Sequence, residues 1–287
     1  LRDALNSNKF SAYVVAVPAI HHYKIAKEII LAKKHVLVEK PIALEIEHAK
    51  ELVDLSVKNN VNLMVGHLLL FHPAMLKIKE MIKDGRIGTL QYLYSNRLNL
   101  GKIRSEENVF WSLAPHDISL FQFFTESYPS DIKAVGSAFV QKKIHDCTIT
   151  HLSYPGGISG HIFVSWLHPF KEHRIVVVGS DGMITFEDSA EEKPLKFYNK
   201  KFKPVDNDIK KFDGPTERLS YDFEIEILSV GDERDTNIFK YSDIITYRHF
   251  NNTTNWKDNL GDWGKLKCAG NHTIIKNQGT ILKNYCK

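Results

Sequence analysis

His35-Val36-Leu37-Val38-Glu39-Lys40-Pro41 decides how this chain is read. Three aliphatic residues in unbroken succession describe a strand buried on both faces, the kind found in parallel sheets. Glu39 and Lys40 follow, and Pro41 ends the run and biases Lys40 towards extended backbone. Ligands of open α/β sheets bind beyond the carboxyl ends of the strands. The segment therefore delivers a lysine to a ligand-binding edge. A lysine beside apolar walls suits proton transfer, or electrostatic work on a substrate oxygen. A surface lysine after a strand is the plainer reading.

Working outward, Tyr13–Val17 reads as a strand closed by Pro18, and Val61–Val65 as a third strand closed by Gly66. Between them lie two segments of helical period. Residues 22–33 carry Ile25, Ala26, Ile29 and Ile30 on one side, and residues 45–59 carry Ala49, Leu52, Val53 and Val57. Strands alternating with helices of this length imply βαβ units and a partial Rossmann-like parallel sheet. Pro73–Lys83 reads as a further helix. After Gly88 the pattern changes. Residues 89–100 read as extended, 116–125 as a buried helix with Ile118, Leu120, Phe121, Phe123 and Phe124, and 132–187 as closely spaced strands joined by Gly-rich turns. The fold class is α/β, with a second α+β domain built on a mostly antiparallel, open-faced sheet. The boundaries expected are 1–86, 87–205 and an unassigned segment 206–287, of which 205–220 reads as polar loop.

The chain has 287 residues, 43% hydrophobic and 25% charged, with a net charge of +4. That composition is ordinary for a globular protein. The mild basic balance, without a dense Lys/Arg block, favours a small anionic ligand over nucleic acid. No apolar run reaches membrane-spanning length, so no membrane partner is expected. Three widely spaced cysteines, Cys147, Cys268 and Cys286, fit a reducing cytoplasm better than a disulfide framework. His21-His22 and His67…His72 lack further ligands at metal-site spacing, so no metal is expected.

Four places carry chemistry. Pro18 and His21 follow the first strand, where His21 either touches a cofactor or caps the next helix. Glu39 and Lys40 form the second place. The third is Asn96–Asn108, where Arg97, Asn99, Lys102, Arg104 and Asn108 suit a phosphate or carboxylate, arginine binding such groups through two parallel hydrogen bonds. The alternative there is a solvated loop with ion pairs to Glu106 and Glu107. The fourth is Trp111-Ser112-Leu113-Ala114-Pro115-His116-Asp117, which opens the apolar helix. The field at a helix N-terminus disfavours a charged imidazole, so His116 suits a general base. A helix-start histidine bonded to a neighbour is the alternative.

Together these segments resemble the glucose–fructose oxidoreductase / inositol dehydrogenase / MocA (Gfo/Idh/MocA) family of NAD(P)-dependent sugar dehydrogenases. The resemblance rests on Val17-Pro18 with His21, Lys34-His35-Val36-Leu37-Val38-Glu39-Lys40-Pro41, Val65-Gly66-His67 to Phe71-His72-Pro73, and Gly85-Arg86-Ile87-Gly88, over about residues 10–190. Asn96–Arg104 and Trp111–Asp117 are most similar to the branch that oxidises the 3-hydroxyl of UDP-N-acetylglucosamine or its uronate. The 3-keto sugars made there are aminated for surface polysaccharide or lipid A.

The resemblance implies NAD or NADP as cofactor, a sugar or nucleotide-sugar substrate, and a homo-oligomer. It implies that Lys40 lies by the nicotinamide and the reacting hydroxyl, across a shared cleft from His116 as base, and that Pro18, His21, Glu39 and Lys40 face the cofactor. Ser112 stands where the family more often has aspartate. The family's Gly-x-Gly-x-x-Gly turn is absent from Leu1 onward, as is its closing helix after about Asp222. The first absence leaves open a catalytically dead sugar-binding subunit. Another sugar or polyol dehydrogenase of the family is the other alternative.

Overall fold

The computed structural model describes residues 1–7, 9–206 and 208–221, and by backbone alone three strands within 226–281. It divides into two compact units, Leu1–Leu68 with Phe223–Lys287, and Leu69–Asp222.

In the first unit, after a short helix α1 (Arg2–Asn6), strands β1 (Ala12–Val15), β2 (His35–Glu39) and β3 (Leu63–Gly66) form a parallel sheet in the order β1-β2-β3. Helices α2 (His22–Leu31) and α3 (Ile46–Lys58) are the crossovers. Ala26, Ile29 and Ile30 of α2 and Leu52 of α3 close on Val15, Val36, Val38 and Leu63. Val36 and Val38 are fully buried and Leu37 nearly so, as an unbroken aliphatic run requires. On α3 the apolar stripe turns away earlier than the sequence period suggests. Leu52 and Ser56 are buried, while Val57 is 64% exposed, because it lies well round the helix from Leu52.

The second unit starts at Leu69 rather than at residue 87. Helix α4 (Pro73–Lys83) is the reason: its buried Ala74, Met75, Ile78 and Met81 belong to the second core. That core fills the space between α4, α5 (Val109–Leu113) and α6 (Pro115–Thr125) and one face of an eight-stranded sheet. Its strands are β4 (Leu90–Leu100), β5 (Asp131–Ser137), β6 (Cys147–Ser153), β7 (Ser159–Ser165), β8 (Leu167–Gly179), β9 (Met183–Glu187), β10 (Leu195–Val205) and β11 (Asp208–Leu219). They run in the order β11-β10-β9-β8-β4-β7-β6-β5. All pairs are antiparallel except β4 with β7. Phe121 of α6 lies on Gly160 of β7, where a Cβ would come within 3.0 Å of its ring.

Two expectations need correction. Residues 208–219 are not loop but the edge strand β11, paired with β10 almost along its length. Its side chains are mostly exposed and charged, which protects an edge from further pairing but erases the apolar alternation that reveals a strand. Likewise, Asn96–Leu100 belong to β4, so only the latter part of the basic segment is irregular. Beyond residue 221 the backbone of β12 (Glu226–Val230), β13 (His272–Asn277) and β14 (Thr280–Ile281) forms a small antiparallel sheet. The rest of the chain beyond residue 221 lies outside the described residues.

Candidate functional site

The first unit gathers its polar groups at the carboxyl ends of β1, β2 and β3. Pro18 opens a 3-10 turn, Ala19–His21. His21 occupies the N-cap position of α2, makes no side-chain cap bond and stays exposed. Its neighbour His22, which the sequence shows only as one of a pair without further metal ligands, is 1% exposed. His22 Nδ1 lies 2.7 Å from the Pro41 carbonyl oxygen, and Nε2 lies 2.7 Å from that of Val17. One ring thus ties together the loops after β1 and β2. A neutral ring donates to one of these carbonyls; a protonated ring donates to both.

Glu39 ends β2, and its Oε2 accepts from the Lys40 N–H at 3.3 Å. Gly66 stands opposite Glu39 on β3, where a Cβ would fall 2.6 Å from the same carboxylate oxygen. The Lys40–Pro41 peptide bond is cis. His67 follows β3 directly. Burial, reinforced by the nearby Lys40 ammonium, pushes His67 down to about 4. At neutral pH this strand edge therefore carries a cation beside a neutral imidazole.

In the second unit, His116 stands in the first turn of α6, after Pro115 at the helix start. It is half-buried, and its carbonyl accepts from Ser119 Oγ at 2.7 Å. Ser112 is buried in α5, one helical turn before it. Arg97 does not present its guanidinium to an outside anion. Its Nε and Nη2 donate to Asp117 Oδ2 and Oδ1 at 2.9 and 3.1 Å, and both residues are buried. Burial works against the Arg97 charge, but Asp117 and Asp188 outweigh it and hold the guanidinium protonated. The reason for the correction is alternation: Leu93, Ser95 and Arg97 all face the helices from β4.

The other predicted anion ligands lie apart from this pair. Asn99 is half-buried near the end of β4, and Lys102 is exposed beyond it. Arg104 pairs with Glu107 at 3.3 Å, the internal ion pair that the solvated-loop reading describes. The Asn108 side chain caps α5, its Oδ1 accepting from the Trp111 N–H at 3.1 Å. His173, opposite Arg97 on β8, is pushed down to about 4, first by burial and then by Arg97. His72 is also pushed down to about 4 by burial. Its Nδ1 accepts from the Ala74 N–H at 3.2 Å, a bond available only to an imidazole unprotonated there.

Residues 1–67 match the family model of the NAD-binding Rossmann fold of the GFO/IDH/MocA oxidoreductases, and residues 75–185 match the model of the family's C-terminal domain. The chain belongs to the Gfo/Idh/MocA family. Among Gfo/Idh/MocA relatives, a UDP-N-acetylglucosamine 3-dehydrogenase of Acidithiobacillus ferrooxidans is 32% identical over 142 residues, covering 49% of this chain and 44% of its own length. An inositol 2-dehydrogenase of Rhizobium meliloti is 24% identical, covering 74% of this chain and 64% of its own. A solved structure of the Acidithiobacillus ferrooxidans 3-dehydrogenase superposes with a TM-score of 0.65 at 22% identity, covering 78% of this chain and 67% of that one. That likeness is one of fold. The chain spans about half the length of the first curated relatives it matches. No helix among the described residues is long and apolar enough to cross a membrane.

Proposed function

We propose that this chain is part of an NAD(P)-dependent dehydrogenase of a sugar hydroxyl, with the 3-hydroxyl of a UDP-N-acetylhexosamine or its uronate as substrate. One observation carries the reading: Lys40 leaves the central parallel strand of a Rossmann unit, with its ammonium beside the neutral imidazole of His67. A cation there stabilises the oxygen that gains negative charge as a hydroxyl loses its proton.

The residues present fit the nicotinamide end of a dinucleotide. Gly66, lacking a Cβ, lets the Glu39 carboxylate lie close against its backbone, Pro18 and His21 belong to the adjoining loop, and His22 holds that loop to the Lys40–Pro41 turn. A nicotinamide bound there would supply the hydride acceptor for the sugar carbon. His116 takes the hydroxyl proton and Lys40 supports the oxyanion. Asn99, Lys102 and Arg104 remain proposed ligands of the diphosphate or carboxylate. Arg97 is withdrawn from that role, because its guanidinium is spent on Asp117.

The buried Arg97 also favours a second reading, a dehydrogenase of free sugars or polyols, since fewer cations are left for a diphosphate. NADH formation from NAD+ with UDP-N-acetylglucosamine, but not with glucose or myo-inositol, supports the first reading; the reverse supports the second. Lys40→Ala and His116→Ala should each cut turnover at least about tenfold. Full activity in either variant rejects the assigned role, and failure of NADH to bind in a fluorescence titration supports a non-catalytic subunit.

Self-association belongs to the same reading. On the sheet face away from the helices, Val135, Ile149 and Phe163 share a row, with the first two 70% and 50% exposed. Light scattering should find a dimer or larger assembly, which Val135→Lys with Ile149→Lys should break.

A further inference from the structure

Taking His116 as the base of the reaction above, we infer that Arg97 and Asp117 are positioning residues. Their ion pair sets the rotation of α6 and so aims His116. Asp117 lies on the buried stripe of α6 with Leu120, Phe121 and Phe124. A carboxylate at such a position has to be partnered, and Arg97 meets it with two bonds of 2.9 and 3.1 Å from the central strand β4. Stability alone does not account for the pair, because well-packed apolar residues in place of a buried ion pair are often as stable or more so. Apolar contact leaves a helix free to roll slightly; a bidentate fork does not.

The start of α6 needs such an anchor. Pro115 has no N–H to continue the hydrogen-bond ladder from α5. At the far end, Glu126 pairs with the buried Lys79 at 2.6 Å, so the helix is clamped by ions at both ends. His116 is the residue next to the inner clamp. A roll of about 15° moves a side-chain tip roughly 6 Å from the axis by about 1.5 Å. Misplacement by about 1 Å costs on the order of a hundredfold in rate.

The test uses four variants of this chain: Arg97→Lys, Asp117→Asn, Asp117→Glu and the apolar double Arg97→Met with Asp117→Leu. Steady-state kinetics with NAD+ and UDP-N-acetylglucosamine is paired with NMR of histidine-labelled protein, the His116 signal being assigned by its loss in His116→Gln. Positioning predicts kcat at least tenfold lower with KM within about twofold. The His116 signal should move while those of His151 and His161 hold still. In the double variant the melting temperature should recover but kcat should not.

Recovery of kcat in the double variant overturns the inference, because the pair would then serve packing alone. So does a KM raised tenfold at unchanged kcat, which would make Arg97 a direct ligand of the substrate. If wild-type protein turns over no sugar, only the functional reading falls. The His116 signal then decides: movement in Asp117→Asn and Arg97→Lys supports positioning, and an unmoved signal in folded variants overturns it. If Arg97→Lys does not fold, the two Asp117 single variants carry the same comparison.

Discussion

The two units hold their candidate residues by different chemistry. In the first unit, His22 joins two strand-end loops through bonds to backbone carbonyls, and the helix–sheet contacts around it are aliphatic. In the second unit, the segment bearing His116 is tied down by ions, Arg97 with Asp117 and Lys79 with Glu126. A loop end needs a partner only for its backbone, and one buried ring supplies that. A helix lying on a sheet must also be stopped from rolling, and a directional charge pair does this where apolar contact does not.

The sharpest way to break this contrast is to remove one ion. Arg97→Met alone should cost about 3–5 kcal/mol, because it strands the Asp117 carboxylate in the core. Urea unfolding would measure it, and a loss below about 1 kcal/mol would mean that water reaches the carboxylate. His22→Phe is the matching change in the first unit. It keeps the ring's bulk but removes the ring nitrogens beside the Val17 and Pro41 carbonyls, leaving at least one buried carbonyl without its donor, at about 1–3 kcal/mol. A cost equal to that of Arg97→Met would erase the distinction.

The pH dependence sharpens it further. His67 in the first unit and His72 and His173 in the second are each held at about 4. An unfolded histidine titrates near 6.5, so between about pH 6.5 and 4 the unfolded chain binds protons that the fold refuses. Stability is fully present above that window and is lost as pH falls through it, by up to about 1.4 kcal/mol per pH unit for each group. Thermal melts in buffers from pH 7 to 4 should show the loss, and His67→Gln or His72→Gln should flatten it. The second unit, with two such groups, should lose more than the first. A melting temperature level across the window would contradict all three.

The smallest effect expected is at Gly66. A methyl there meets the flexible Glu39 carboxylate at 2.6 Å, which can swing aside, and the Glu39 Cα at 3.1 Å, which must yield by a few tenths of an ångström. Gly66→Ala should cost no more than about 1 kcal/mol while weakening NADH binding. Unchanged binding by fluorescence titration would remove Gly66 and Glu39 from the cofactor edge.

Much of this was legible from residue order. The unbroken Val36-Leu37-Val38 run described a doubly covered strand, and the structure buries it on both faces. The helix at 22–31 follows from the apolar period of residues 22–33, and the helix read at Pro73–Lys83 is present with those bounds. Other residues carry a burial signal beside the chemical one. His22 continues the stripe of Ala26, Ile29 and Ile30. Asp117 stands on the stripe of Leu120, Phe121 and Phe124, and Arg97 keeps step with Leu93 and Ser95. A polar residue in register with a core stripe is a buried polar residue, and it has to have a partner. The strand at 208–219 carried no such signal, since an edge strand gains its order from backbone bonds.

By itself the sequence determined which face of each element a residue occupies, because the periods of helix and strand are properties of the local backbone. It thereby determined the parallel βαβ unit, the lysine at the end of β2 and the histidine at the start of α6. Only the tertiary structure decided that Arg97 meets Asp117, that His22 spans Val17 and Pro41, and that α4 joins the second core. Those pairings depend on which elements share a space, and no local period records that.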